Sequence, residues 1–78
     1  NPSLGNTNII LNNLEGKNIK VKMVNVLGKE VKEIYEGLVM YDFIQIEANI
    51  SHLDKGVYFI SVYEGNDVLL TDKLILNR

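Results

Sequence analysis

The chain has 78 residues, of which 46% are hydrophobic, a formal net charge of −2 and no cysteine. Its length predicts one small domain, residues 1–78, held together by a single apolar core without disulfides or a Cys/His metal cluster. The mixed charges form no basic stripe, which argues against nucleic acid as a partner. No apolar run approaches the ~20 residues of a membrane-spanning helix.

Alternation of apolar and polar residues predicts strands along the whole chain, and no segment has a helical stripe flanked by caps. In chain order, the predicted strands cover residues 7–11, 19–23, 29–35, 44–48, 57–63 and 68–76. The last strand is ambiguous, because apolar residues fall on both of its faces and Asp72 shares a face with Leu70 and Leu74. Either a β-bulge changes its phase, or both of its faces are covered.

Turn residues separate these strands. The segment 12–17 is a polar loop, and Asn25 and Gly28 suit the first and fourth positions of a type I turn. Gly65 and Asn66 suit a two-residue hairpin loop. Short strands divided by such turns predict an all-β, antiparallel β-sandwich.

The segment LDKGVYFI at the start of the fifth strand predicts a structural corner. In Ig-like sandwiches, a tyrosine at this place hydrogen-bonds to the backbone a few residues upstream and fixes the loop between the two sheets. Leu53 would plug the core beneath the loop, Gly56 would permit the bend, and Tyr58 would supply the hydroxyl. The alternative is an ordinary loop followed by a strand with one core tyrosine.

The sequence offers little chemistry, and we predict neither catalytic residues nor a metal or other cofactor. Ser51, His52 and Asp54 are nearly adjacent, whereas a catalytic triad is a spatial arrangement of converging side chains. His52 is the only histidine, which argues against a His-based metal site. A calcium site needs about six to eight oxygens, more than the last hairpin supplies. Its oxygen-bearing side chains are Glu64, Asn66, Asp67 and Asp72.

Five aromatic residues leave two alternatives open. They could form an exposed platform that stacks on sugar rings, or cross-strand pairs that only stabilise the sheet. We favour the second, which is the commoner arrangement. The residues are Tyr35, Tyr41, Phe43, Phe59 and Tyr63.

Four segments in this order resemble one known family, the type A C-terminal sorting domain of the type IX (Por) secretion system. They are NPSLG at 1–5, VNVLGKEV at 24–31, ISHLDKGVYFI at 50–60 and TDKLILNR at 71–78. The order and spacing of the set, rather than any one segment, carry the resemblance, which covers the whole chain. One departure is Asn25, where the family often has Asp; either side chain can cap the turn.

The resemblance implies an Ig-like sandwich of about seven strands at the C-terminus of a larger secreted protein from a Bacteroidetes-type bacterium. In such proteins a separate signal directs the precursor to the periplasm, and the outer-membrane translocon recognises the folded sorting domain. A sortase-like peptidase commonly removes the domain, and the cargo is attached to the cell surface or released. The N-terminal residues here do not resemble an export signal, so we expect this chain to be a piece of a longer protein.

The resemblance also assigns translocon recognition to residues of three elements. They are Pro2 and Gly5 of a Pro-x-x-Gly element, Gly56 and Tyr58 of a Gly-x-Tyr element, and Lys73 and Arg78 of a basic tail. We expect the last strand to be a sheet edge that the translocon recognises by adding a strand, with the tail steering the approach. The same edge could support a homodimer. The main alternative is an Ig-like or fibronectin-like accessory module that binds carbohydrate or spaces other domains; an adhesive surface domain is a third.

Overall fold

A computed structural model describes residues 5–77, which form six strands in two antiparallel sheets. The strands are β1 (Asn6–Asn12), β2 (Asn18–Asn25), β3 (Glu30–Leu38), β4 (Phe43–Asn49), β5 (Gly56–Glu64) and β6 (Asp67–Leu76). One sheet has the order β1-β4 and the other β3-β2-β5-β6. The predicted all-β sandwich is confirmed, and the described residues form six strands where about seven were expected. Each of the six alternating segments coincides with one strand, and turns and loops account for the other described residues.

The core lies between the two sheets, where the strands at the centre of the larger sheet bury one face. Val21 and Met23 of β2 and Val62 of β5 are fully buried, and they form one cluster with Ile46 and Ala48 of β4. Burying a side chain of this size stabilises the fold by about 1.5–3 kcal/mol. The alternation of apolar and polar residues along these strands therefore indicates which face packs against the other sheet.

The outer face of β2 is charged, because its lysines alternate with the buried residues. Lys20 lies 3.9 Å from a carboxylate oxygen of Glu36, and Lys22 lies 3.2 Å from one of Glu30. Both pairs join β2 to its neighbour β3. Because the pairs are partly exposed, each adds little stability.

The β2–β3 turn has the predicted arrangement. The Gly28 N–H donates to the Asn25 carbonyl at 2.9 Å, and Gly28 has a φ of 84°. The side-chain oxygen Oδ1 of Asn25 accepts two further hydrogen bonds, from the N–H groups of Leu27 and Lys29, each at 3.0 Å. The Asn25 side chain therefore satisfies two backbone donors of the turn.

The β5–β6 hairpin contains both the predicted two-residue loop and the irregularity that makes the last strand hard to interpret. Glu64 pairs with Asp67 across the loop. Val62 pairs with Leu70, but Tyr63 pairs with Val68, which leaves Leu69 as an extra residue on β6. This β-bulge changes the phase of β6, so the first of the two alternatives for the strand is correct.

The loop between β1 and β2 is less polar than its sequence suggests. Leu14 is only 7% exposed and joins the core, while the loop backbone pairs with the β3–β4 connection. The Gly16 N–H donates to the Val39 carbonyl at 2.8 Å, and the Val39 N–H donates to the Lys17 carbonyl at 2.9 Å. One apolar side chain in this loop thus helps to close one end of the sandwich.

A tyrosine corner organises the opposite end. The Tyr58 hydroxyl donates to the Asp54 carbonyl at 2.7 Å, and its ring is buried in the core. Leu53 packs against the same core, and Gly56 begins β5 with a φ of 151°. Because β5 pairs with both β2 and β6, the corner positions the strand on which the last strand is built.

We predict that Tyr58→Phe lowers the free energy of unfolding by about 1 kcal/mol, because the ring stays but the Asp54 carbonyl loses its donor. In a domain of this size the melting temperature should fall by about 4–8 °C. Tyr63→Phe is the control, since the Tyr63 hydroxyl makes no hydrogen bond within residues 5–77. Equal losses in the two variants would show that the corner hydrogen bond is not stabilising.

A second prediction concerns the β2–β3 turn. Asn25→Ala removes the acceptor of two backbone N–H groups and should cost about 1 kcal/mol in urea denaturation. Asn25→Asp keeps that acceptor and should stay within about 0.5 kcal/mol of the parent chain. If the aspartate variant loses as much as the alanine variant, the side-chain acceptor does not stabilise the turn.

Candidate functional site: the free edge of the last strand

β6 is an edge strand. It pairs with β5 from the Glu64–Asp67 pair to the Gly56–Leu76 pair, and no other described strand lies against its second side. An edge strand presents N–H and C=O groups that can pair with a strand from another chain. This position is the one that the sequence predicts for the last strand.

One backbone donor on the free edge of β6 is hydrogen-bonded to a side chain of the same strand. The Lys73 N–H donates to Oδ1 of Asp72 at 3.0 Å. Because the Lys73 N–H donates to the side chain of the preceding residue and not to β5, it lies on the free edge of β6. Lys73 itself is exposed, as is Ile75 two residues further along.

The inner face of β6 lines a groove beside β1. The groove has a volume of about 450 Å³ and runs between residues 7–12 of β1 and the inner face of β6. Its β6 side includes Leu70, Asp72 and Leu74, with Ile60 of β5 beneath. Asp72 is not identified from the sequence as a candidate site residue. The signal that could have identified it is an acidic residue among the apolar residues of one strand face.

The sequence-predicted recognition residues fall into two groups. Gly5, Gly56 and Tyr58 lie around the loop between β4 and β5, where the Gly5 carbonyl accepts the Ile50 N–H at 2.7 Å. Lys73 lies apart from them on the outer side of β6, opposite Phe59. The other two residues, Pro2 and Arg78, lie outside the described residues.

Ser51, His52 and Asp54 have structural surroundings in this loop. The Ser51 hydroxyl donates to Oδ1 of Asn49 at 2.7 Å, and the Asp54 carbonyl is the acceptor of the corner. His52 is exposed. Within residues 5–77, no cluster of three or more His, Asp or Glu side chains is placed to hold a metal ion. The same part of the chain contains no helix with the length and apolar character needed to cross a membrane.

The five aromatic residues are spread over different surfaces. Phe59 and Tyr63 are half-buried on the outer face of β5, where the Lys22 ammonium lies 5.5 Å from the centre of the Tyr63 ring. Tyr35 packs against the core. Tyr41 and Phe43 are 72% and 54% exposed; Phe43 is the first residue of β4, and Tyr41 lies just before that strand. No single sheet face carries all five.

Comparison with known protein families matches residues 1–77 to the secretion system C-terminal sorting domain. Neither the comparison with curated proteins nor the comparison with solved structures gives a match. The match extends over nearly the whole chain and includes the four segments that carry the resemblance, except for Arg78 at the end of the last one. The chain therefore belongs to the family of C-terminal sorting domains of the type IX secretion system.

Proposed function

We propose that this domain is the folded label by which the outer-membrane translocon of the type IX system recognises an attached cargo protein. Family membership indicates a sorting signal for type IX secretion, and sorting signals are not an enzyme class. It also implies an upstream cargo and a secreted or cell-surface destination. We propose in addition that the precursor passes through the periplasm, that the translocon binds the folded domain, and that a sortase-like peptidase removes it.

The observation that carries the proposal is the free edge of β6. A translocon component would add a strand to this edge, with backbone hydrogen bonds supplying affinity and alternate side chains supplying specificity. Lys73 is exposed beside the edge and is available for electrostatic steering, together with Arg78 of the tail. The same edge would allow two copies of the domain to associate as a homodimer at high concentration.

The remaining family-motif residues would act indirectly. Tyr58 is buried and its hydroxyl is used within the corner, so it would support recognition by holding β5 and hence β6. Gly56 would do so by starting β5 in a conformation that other residues rarely adopt. Gly5 anchors the start of the described chain on the same loop, and we assign Pro2 to this element with it.

An accessory module that binds carbohydrate is the second candidate. Its support is the exposure of Tyr41 and Phe43, since exposed aromatic rings can stack on sugars. Binding of the chain to a glycan array, abolished by alanine at both positions, would favour this candidate.

The proposed function predicts that residues 1–78, fused behind a reporter carrying a periplasmic export signal, direct the reporter to the surface of a type IX-competent host. Surface delivery should be absent in a strain that lacks the translocon. Reporter that stays in the periplasm of the competent strain would favour the accessory-module alternative.

The role of the tail predicts a second result in the same assay. Removing Asn77 and Arg78 should abolish export, while the truncated chain still melts cooperatively because the core lies upstream of the cut. Arg78→Lys keeps the charge and should retain export if the tail acts by electrostatic steering. Normal surface delivery of the truncated fusion would contradict this role for the tail.

A further inference from the structure

We propose that the groove between β1 and β6 accepts an extended strand of the protein partner, and that Asp72 selects a strand with a basic side chain facing it. The inference rests on the proposed function, because the incoming strand adds to the edge of β6. The partner segment has apolar residues at alternate positions, with one lysine or arginine among them.

The groove exists because the smaller sheet does not cover the whole inner face of the larger one. Val62 on β5 is fully buried, yet its partner across the strands, Leu70 on β6, is 38% exposed. Directly opposite residues in an antiparallel pair point to the same face. Leu70 and Leu74 therefore present apolar surface that the chain itself leaves partly uncovered, and an added strand would bury it.

Asp72 stands in the middle of this apolar surface. It pairs with Ile60, which faces the core, so the Asp72 side chain is directed to the inner side. No cationic side chain within residues 5–77 forms an ion pair with it. A strand that covered this carboxylate with apolar side chains alone would desolvate a charge without compensation, which is costly. A basic side chain at that position removes the penalty.

The hydrogen bond between Asp72 and Lys73 makes the selection sharper. Oδ1 of Asp72 accepts the Lys73 N–H on the free edge, so this donor is already used when the site is empty. An incoming strand needs that N–H for its own carbonyl. A lysine or arginine facing Asp72 competes for the carboxylate and frees the donor. An inward-pointing charge on an edge strand also discourages nonspecific pairing, so the same residue excludes neutral strands.

The test compares two blocked peptides that differ at one position, Thr-Val-Thr-Lys-Thr-Val-Thr and the same peptide with glutamate in place of lysine. Binding to the 78-residue chain is measured by isothermal titration calorimetry. We expect the lysine peptide to bind roughly tenfold more tightly, as for a partly desolvated ion pair. Asp72→Lys should reverse the preference. Asp67→Lys is the matched control, because Asp67 is an exposed acid of β6 that does not line the groove, and it should keep the preference.

Equal affinity for the two peptides, no binding of either, or a preference that survives Asp72→Lys would overturn the inference. A stable dimer of the chain that excludes both peptides would overturn it too, by assigning the groove to a second copy. Export of a reporter fusion carrying Asp72→Lys separates the inference from the proposed function. If Asp72→Lys loses the preference for the lysine peptide but the fusion is exported normally, the groove binds strands as inferred. That result contradicts recognition of the sorting domain through the β6 edge. Conversely, a missing preference in the parent chain refutes this inference and leaves the proposed sorting function to be judged by the export assay.

Discussion

The structure depends on one constraint, which is that a two-stranded sheet must cover the apolar face of a four-stranded sheet. The cover is sufficient for β2 and β5, whose inner residues Val21, Met23 and Val62 are fully buried. It is not sufficient for β6, where Leu70 stays partly exposed and Asp72 is tolerated on the inner side. A small chain without disulfides thus concentrates its stability at the centre of the larger sheet and leaves one margin incomplete.

The two ends of the sandwich are closed by different means, and both protect the central strands. At one end Leu14 enters the core from a loop that hydrogen-bonds to the β3–β4 connection. At the other end, the bond from Tyr58 to the Asp54 carbonyl fixes the β4–β5 loop over the core. Since β5 is the only described strand that pairs with β6, the corner determines where the free edge is presented, although it lies away from that edge.

The strands and turns could be predicted because their signals are local. Alternation along β2 and β4 reflects one buried face, and Asn25 and Gly28 identify a turn from its own hydrogen-bond needs. The family resemblance implies about seven strands, and the described residues form six. The pairing of strands that no short turn connects, the exact position of the bulge at Leu69 and the groove beside Asp72 could not be predicted, since they depend on how distant segments meet. Asp72 looked like an interruption of an apolar pattern until the uncovered face of β6 explained its place.

Under the proposed function, the activity of this domain lies in a surface, the free edge of β6. The central claim is that the machinery binds the β6 edge, and site-specific photo-crosslinking in an exporting cell tests it most directly. A photoreactive residue at Ile75, exposed on β6, should crosslink to an outer-membrane component of the type IX translocon. The same residue at Glu33, exposed on β3 at the opposite edge of the sheet, should not. Crosslinks to that component from Glu33 and none from Ile75 would contradict the account.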